Sequence, residues 1–324
     1  MSNSIIRIIL ANPLMKSRAI DFMPRPCWPR GSQFLGVRTF VAVPCYNPGF
    51  IIFHRNFAMI DIGANLASPA FAKDLRSVLD RAHAAHVTSI VATGTSLEAS
   101  QSVARIAGQS HPMPVLCTSG IHPHSASTAT VAALENIEEL ARKNACVAVG
   151  ETGLDYDRMR STKQEQQASF AAHLDIARRV NKPLFLHCRD AFDDMHAMLS
   201  GYTGSAVVHC FTGTRSQARA WLDLGYDLGI TGWLTQDRRA ADLQDAVKFI
   251  PLDKLHIETD APYLLPSTAT RAAPMVKTKT GWRCEPMHLP LVLKAVAHYK
   301  SIKPATLADV LRANGKRLFG EQVV

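Results

Sequence analysis

The chain has 324 residues, 47% of them hydrophobic and 19% charged, enough to bury a sizeable core in one large domain or two ordinary ones. No apolar stretch approaches the ~20 residues that cross a bilayer, and seven dispersed cysteines without a C-x-x-C pair argue against a disulfide scaffold or a zinc knuckle. The formal charge of +9 is uneven: residues 1–58 hold seven Lys/Arg against Asp21 alone, so most of the excess lies outside the body of the chain and says little about a polyanionic partner.

Residues 1–58 contain Pro13, Pro24, Pro26, Pro29, Pro44 and Pro48 and no sustained period. They read as a basic extension, disordered or preceding the true start; the prolines break any amphipathic targeting helix. Met59 opens the first patterned strand and is a candidate initiator. From there short apolar runs recur at Met59–Ile62, Ser89–Thr93, Val115–Ser119, Cys146–Gly150, Pro183–Leu186, Ala206–Val208, Tyr226–Ile230 and Leu255–Ile257. Helical spacing separates them, with Phe71, Leu75, Val78, Leu79 and Ala82 on one face of Ala70–Ala85. Phe170, Leu174 and Ala177 share a face of Gln164–Val180. Leu289–Tyr299 and Pro304–Leu318 close the chain as helices. Strands that are near-continuously apolar are buried on both faces, as in a parallel sheet. Eight β-then-α units over residues 59–324 predict an α/β fold, a (β/α)8 TIM barrel. A doubly wound open sheet would need fewer strands and usually a Gly-rich phosphate loop, which is absent.

In such barrels chemistry sits at the C-terminal ends of the strands. Here those ends read Gly120-Ile121-His122-Pro123-His124, Gly150-Glu151-Thr152-Gly153-Leu154-Asp155, Leu186-His187-Cys188-Arg189-Asp190, Val208-His209-Cys210-Phe211-Thr212-Gly213 and Ile257-Glu258-Thr259-Asp260-Ala261-Pro262-Tyr263. A single His after a strand is ordinarily a structural residue, and a single Asp an N-cap. Their repetition at one level of one barrel points to a cation or substrate that satisfies them. Two imidazoles with two carboxylates suit Zn²⁺, Mn²⁺ or Co²⁺, whereas Mg²⁺ favours oxygen ligands and retained waters. Such an ion polarises a phosphoryl oxygen and lowers the pKa of water. Asp260 is placed to take the proton, and Glu151 to bridge a second ion. His122, His124 and Arg189 are candidates to hold phosphates, Arg189 having a salt bridge with Asp190 or Asp193 as its structural alternative. Trp233 and Tyr263, near strand ends, can stack on a base or pack in the core.

Together these motifs resemble the TatD family of metal-dependent deoxyribonucleases across essentially all of residues 59–324. Asp61-Ile62-Gly63-Ala64-Asn65-Leu66 at the first strand and Asn314-Gly315-Lys316-Arg317-Leu318-Phe319 in the last helix complete the match. The resemblance implies a TIM-barrel hydrolase with 3′–5′ exonuclease activity on single-stranded DNA ends and a role in DNA repair or turnover. It carries over Glu151, His187, His209 and Asp260 as ligands of a divalent metal ion (Mg²⁺, Mn²⁺ or Zn²⁺), and His122 and His124 as active-site residues. Gly63 and Asn65 stand where many relatives have a His-x-His pair, so one firm metal and at most a weak second are expected. The family's Arg-Asn-Glu-Pro stretch appears as Arg283-Cys284-Glu285-Pro286, which keeps Arg283 for substrate positioning and loses the Asn.

DNA is the expected partner, RNA a further one, with a monomer in the cytoplasm and no membrane. Two rivals stand beside this reading. The same barrel and ligands suit an amide or ester hydrolase, such as an aminoacyl-tRNA deacylase. A binding barrel with a retired site would show broken ligand positions, and the four main ligands are all present.

Overall fold

A computed structural model describes residues 57–269, 275–278 and 281–324. The expected extension therefore lies outside the described residues, apart from Phe57 and Ala58. Along the chain the elements are β1 (Met59–Ala64), α1 (Leu75–Ala84), β2 (Val87–Ala92), α2 (Leu97–Ala107), β3 (Val115–Ser119), α3 (Val131–Ala141), β4 (Cys146–Asp155) and α4 (Lys163–Val180). Then follow β5 (Leu184–Arg189), α5 (Phe192–Leu199), β6 (Ala206–Val208), α6 (Arg215–Asp223), β7 (Asp227–Ile230), α7 (Ala241–Phe249) and β8 (Leu255–Ile257). A small hairpin of β9 (Lys277–Thr278) and β10 (Gly281–Trp282) precedes α8 (Leu289–Tyr299) and α9 (Pro304–Phe319).

Strands β1 to β8 lie in sequence order, each parallel to the next. The sheet closes where the chain after β8 returns to β1: Asp260 N–H donates to Gly63 O (2.9 Å) and Asn65 N–H to Ala261 O (2.7 Å). This is the (β/α)8 TIM barrel. Its outer core lies between strands and helices, where Val78, Leu79, Phe170, Leu243 and Val292 are fully buried. A second apolar cluster of Ile60, Ile62, Val91, Leu116, Val147, Phe185 and Val207 is completed by Leu318, Phe319 and Val323 from the end of the chain. One end of the barrel is thus filled with hydrocarbon, which leaves the other for polar groups. Among the described residues no helix is long and apolar enough to cross a membrane.

Strands β1 and β2 depart from the sequence reading by two residues at an end, and three elements differ in ways that bear on the site. Strand β4 does not stop at Gly150 but runs to Asp155, because Gly153, Leu154 and Asp155 go on pairing with His187, Cys188 and Arg189. Glu151 therefore lies within the strand. Strand β5 likewise extends to Arg189. Helix α1 starts at Leu75, although Phe71 is buried as expected. Turns occupy the preceding residues, and the Asp74 carboxylate that would cap the helix is taken by Arg283 (2.7 and 2.9 Å).

Helix α4 fixes two of the loops that carry chemistry. It begins with a capping box of Thr162 and Glu165 and ends on Asn181 in the left-handed conformation. Buried Gln166 accepts from Asp155 N–H (2.9 Å) and donates to Asp155 O (3.0 Å). Buried His173 accepts from Ile121 N–H on Nε2 (3.0 Å) and donates from Nδ1 to Ser169 O (2.7 Å). Burial pushes the His173 pKa down to about 4 from 6.5, so the ring is neutral in the fold. The unfolded chain binds the extra proton first as pH falls. The stability tied to this ring is complete above pH 6.5 and lost progressively towards pH 4, by up to ~3 kcal/mol. Urea unfolding at pH 7.5 and pH 5 should show a steeper decline for the wild type than for His173→Gln. Parallel declines would place the acid sensitivity elsewhere.

Candidate metal centre and active site

The polar end of the barrel is built around one oxygen atom. Glu151 Oε1 lies 2.8 Å from His209 Nε2, 2.9 Å from His187 Nδ1 and 3.3 Å from His122 Nε2. The three rings come from the residue after β6, from β5 and from the segment after β3, so parts of the chain far apart in sequence converge on the β4 carboxylate. Phe185, two residues before His187 on β5, stacks beneath His209 at 4.7 Å between ring centroids. The polar cluster rests on the apolar one.

Each ring has a second partner that fixes its orientation. His187 Nε2 meets Asp155 Oδ2 at 3.1 Å, and His124 Nε2 meets the same oxygen at 2.9 Å. The other Asp155 oxygen accepts the backbone N–H groups of Asp157 and Arg158. His209 Nδ1 faces Glu258 Oε2 at 3.4 Å, while Glu258 Oε1 accepts Cys210 N–H at 2.5 Å. His122 Nδ1 accepts His124 N–H (3.0 Å), which leaves Nε2–H to point at Glu151. Carboxylates on the far nitrogen are the arrangement that orients metal-binding histidines.

The charges follow the same geometry. Burial disfavours a charged Glu151, yet His209 and His122 outweigh it and hold the carboxyl well below its usual range. Burial also works against protonated His209 and His187; Glu151 and Glu258 nevertheless raise the first well above its ordinary value, and Asp155 and Glu151 raise the second. Burial lowers His122 and His124, which are neutral. Burial pushes Asp260 up to about 7, with His209 and the Asn65 hydrogen bond opposing and Glu151 and Glu258 reinforcing.

This donor set fits a divalent cation. Four carboxylates, Glu151, Asp155, Glu258 and Asp260, share a buried pocket with two imidazoles held as cations, and a metal ion supplies that positive charge without the protons. Ligand atoms of His122, Glu151 and His187 lie within 4.8 Å of one another, as do those of His122, His124 and Asp155. Of the expected ligands, Glu151, His187 and His209 share one oxygen. Asp260 feels the charges of His209, Glu151 and Glu258, and its Oδ1 accepts from Asn65 Nδ2 at 2.9 Å.

The two first-strand departures acquire a physical meaning. A Cβ on Gly63 would run into the Glu258 carboxylate. The room a histidine would need there is filled by the residue that holds His209. Asn65, in the second such place, orients Asp260 instead.

The remaining expected residues divide. Tyr263 is 55% exposed beside Asp260, its N–H bonded to Asp260 O (3.0 Å). Arg189 is exposed and pairs with Asp157 at 2.8 Å, neither with Asp190 nor with Asp193. Trp233 packs against the core under Arg239. Arg283, expected to position substrate, has a buried guanidinium bound to Asp74, Glu285 and Ala70 O. It braces the β8–α8 loop against the turns before α1. Cys284, in place of Asn, is buried and faces Thr259 O.

Asp155 and Glu258 belong to the strand-end motifs, yet the sequence alone assigns them no role. A signal for one exists: each strand-end histidine needs a carboxylate for its other nitrogen, and these are the acids left over.

Comparison with known proteins adds the family. A model of the family described as TatD related DNase matches residues 60–320. The 3′-5′ ssDNA/RNA exonuclease TatD of Escherichia coli K12 is 43% identical over 265 residues, 81% of this chain and 99% of that protein. Among solved structures, the TatD homologue YJJV of Escherichia coli K12 superposes with a TM-score of 0.73 at 27% identity, covering 82% of this chain and 99% of its own. A TatD family hydrolase of Entamoeba histolytica gives 0.73 at 25% identity, covering 82% and 98%. The chain belongs to the family of TatD-related DNases.

Proposed function

We propose that this protein is a metal-dependent phosphodiesterase that removes nucleotides from the 3′ ends of single-stranded DNA, and of RNA, in DNA turnover or repair in the cytoplasm. The observation that carries this reading is the convergence of three imidazoles on Glu151 Oε1 at the strand ends. Glu151, His187 and His209 would hold the cation, with Asp260 completing the set. The bound ion supplies a Lewis acid for a phosphoryl oxygen. Asp260 accepts a proton from the attacking water. His122 and His124, neutral and held by Glu151 and Asp155, orient the phosphate. Zn²⁺ or Mn²⁺ suits two imidazoles and two carboxylates better than Mg²⁺. The 43% identical Escherichia coli relative, a 3′-5′ ssDNA/RNA exonuclease by name, supports the choice of substrate.

With Mn²⁺ or Mg²⁺, a 5′-labelled single strand should shorten to a ladder from its 3′ end, and EDTA should stop the reaction. Absence of EDTA-sensitive shortening of either DNA or RNA would defeat the nuclease reading. Turnover confined to ester or amide substrates would favour the hydrolase rival.

A further inference from the structure

Large apolar side chains exposed to water are few among the described residues, and most of them are grouped. Val131 and Val324 aside, they are Met159, Tyr263, Val276 and Trp282, on two loops at the C-terminal face of the barrel, β4–α4 and β8–α8. Tyr263 is 55% and Trp282 46% exposed. An aromatic ring left in water costs stability that burial would have recovered, and grouping such rings beside a catalytic pocket calls for an occupant.

Backbone pairing places Trp282. Its strand β10 pairs with β9, Trp282 opposite Lys277. Arg283 N–H donates to Val276 O (2.7 Å), and Cys284 N–H donates to Pro262 O (3.0 Å). The Arg283 guanidinium is anchored on Asp74 and Glu285. The hairpin is therefore rooted on Pro262, the neighbour of Tyr263, and Tyr263 is itself bonded to Asp260 O. Two exposed rings thus stand on one braced stem beside the catalytic carboxylate.

Beyond the pocket carboxylates Asp260 and Glu151, which Tyr263 also feels, cations stand around the rings. Arg158 and Arg160 of the β4–α4 loop are exposed, and their positive field reaches the Tyr263 hydroxyl; that of Arg160 also reaches His124. Exposed Lys277 adds a cation on the hairpin. Flat aromatic faces interleaved with guanidinium groups match unpaired nucleobases joined by phosphates. A duplex keeps its base faces inside the stack and has none to offer.

We propose that Tyr263 and Trp282 form a base-stacking platform for the unpaired nucleotides next to the scissile end, with Arg158 and Arg160 on the adjoining phosphates. This rests on the phosphodiesterase reading above, and it makes Tyr263 and Trp282 the determinants of single-strand preference.

Two oligonucleotides of equal length and charge test it: a dA 12-mer, and a 12-mer of abasic sites that has phosphates but no base. Binding is read by anisotropy on the full chain carrying Glu151→Gln, which prevents turnover. Wild-type loops should prefer the dA strand, and Trp282→Ala should cut that preference about 10-fold, from ~1–3 kcal/mol of stacking per base. Trp282→Phe should restore most of it, which a collapsed hairpin would not allow. Arg158→Ala and Arg160→Ala should weaken both strands equally and reduce the salt slope by ~0.7 for each phosphate that is no longer neutralised. An unchanged dA-to-abasic ratio in Trp282→Ala overturns the platform. Hydrolysis of bis(p-nitrophenyl) phosphate by the wild type is followed separately. Its absence would count against the phosphodiesterase reading and leave the stacking result intact.

Discussion

Glu151→Gln is expected to lower kcat/KM on single-stranded DNA by at least ~10³-fold, equivalent to ~4 kcal/mol, and to strip the bound divalent cation. The magnitude follows from the position of one atom. Glu151 Oε1 is the common partner of His209, His187 and His122, all within 3.3 Å. An amide in its place carries no charge, and its NH₂ group presents protons to ring nitrogens that must offer lone pairs. His187 and His209 lose the anion that raises them, while Asp155 and Glu258 remain beside them. Removing one member of a buried charged network costs ~3–5 kcal/mol in general. Here the cost falls on cation affinity, since metal binding is what the pocket's excess negative charge favours. Elemental analysis after dialysis against a measured free metal concentration reads the affinity directly. Near wild-type metal content in Glu151→Gln would show that the cation is centred elsewhere, on the second group formed by His122, His124 and Asp155.

Sequence pattern carries far in this fold because parallel strands buried on both faces are apolar throughout. The limits of β3, β6 and β8 fall where the apolar runs end. Strands β4 and β5 run on past their apolar runs. Of the last five residues of β4 only Leu154 is apolar, yet Thr152 to Asp155 pair with β5, which carries Glu151 inside the sheet. The residues that touch one oxygen were legible for the same reason, each following a separate apolar run. Their supports were not. Asp155 and Glu258 act through a histidine on another strand, and Gln166 and His173 reach the site from the inner face of α4. Their sequence context is an ordinary amphipathic helix, and only the closed barrel brings them within 3 Å of the loops they fix. Arg283, which the family resemblance marks for substrate positioning, is paired with Asp74 at 2.7 Å and Glu285 at 2.6 Å, partners that its sequence context does not identify. Gly63 is the most instructive position. What reads as a lost ligand is, in three dimensions, room for the Glu258 carboxylate.

Asp260→Asn separates chemistry from metal binding. The expected result is a fall in kcat of ~10³-fold, the upper range of general-base effects being ~10²–10⁴, with cation affinity reduced no more than about 10-fold because Glu151, His187 and His209 still surround the site. Asparagine is nearly isosteric with aspartate, and its carbonyl keeps the hydrogen bond from Asn65. It has no basic oxygen for the proton of the attacking water. Stability should move the other way. Burial raises Asp260 to about 7 in the fold, above its ordinary 3.8. A carboxyl raised in this sense favours the fold at low pH, and that contribution is lost as pH rises through 3.8 towards 7, by up to ~4 kcal/mol. Asparagine never ionises, so in EDTA at pH 8 the variant should resist urea better than the wild type, with the difference vanishing near pH 4. Reduced turnover with increased metal-free stability at pH 8 would identify Asp260 as a charge kept buried for catalysis at the expense of the fold. Unchanged turnover would remove Asp260 from the role of base and leave His122 or His124 to accept the proton.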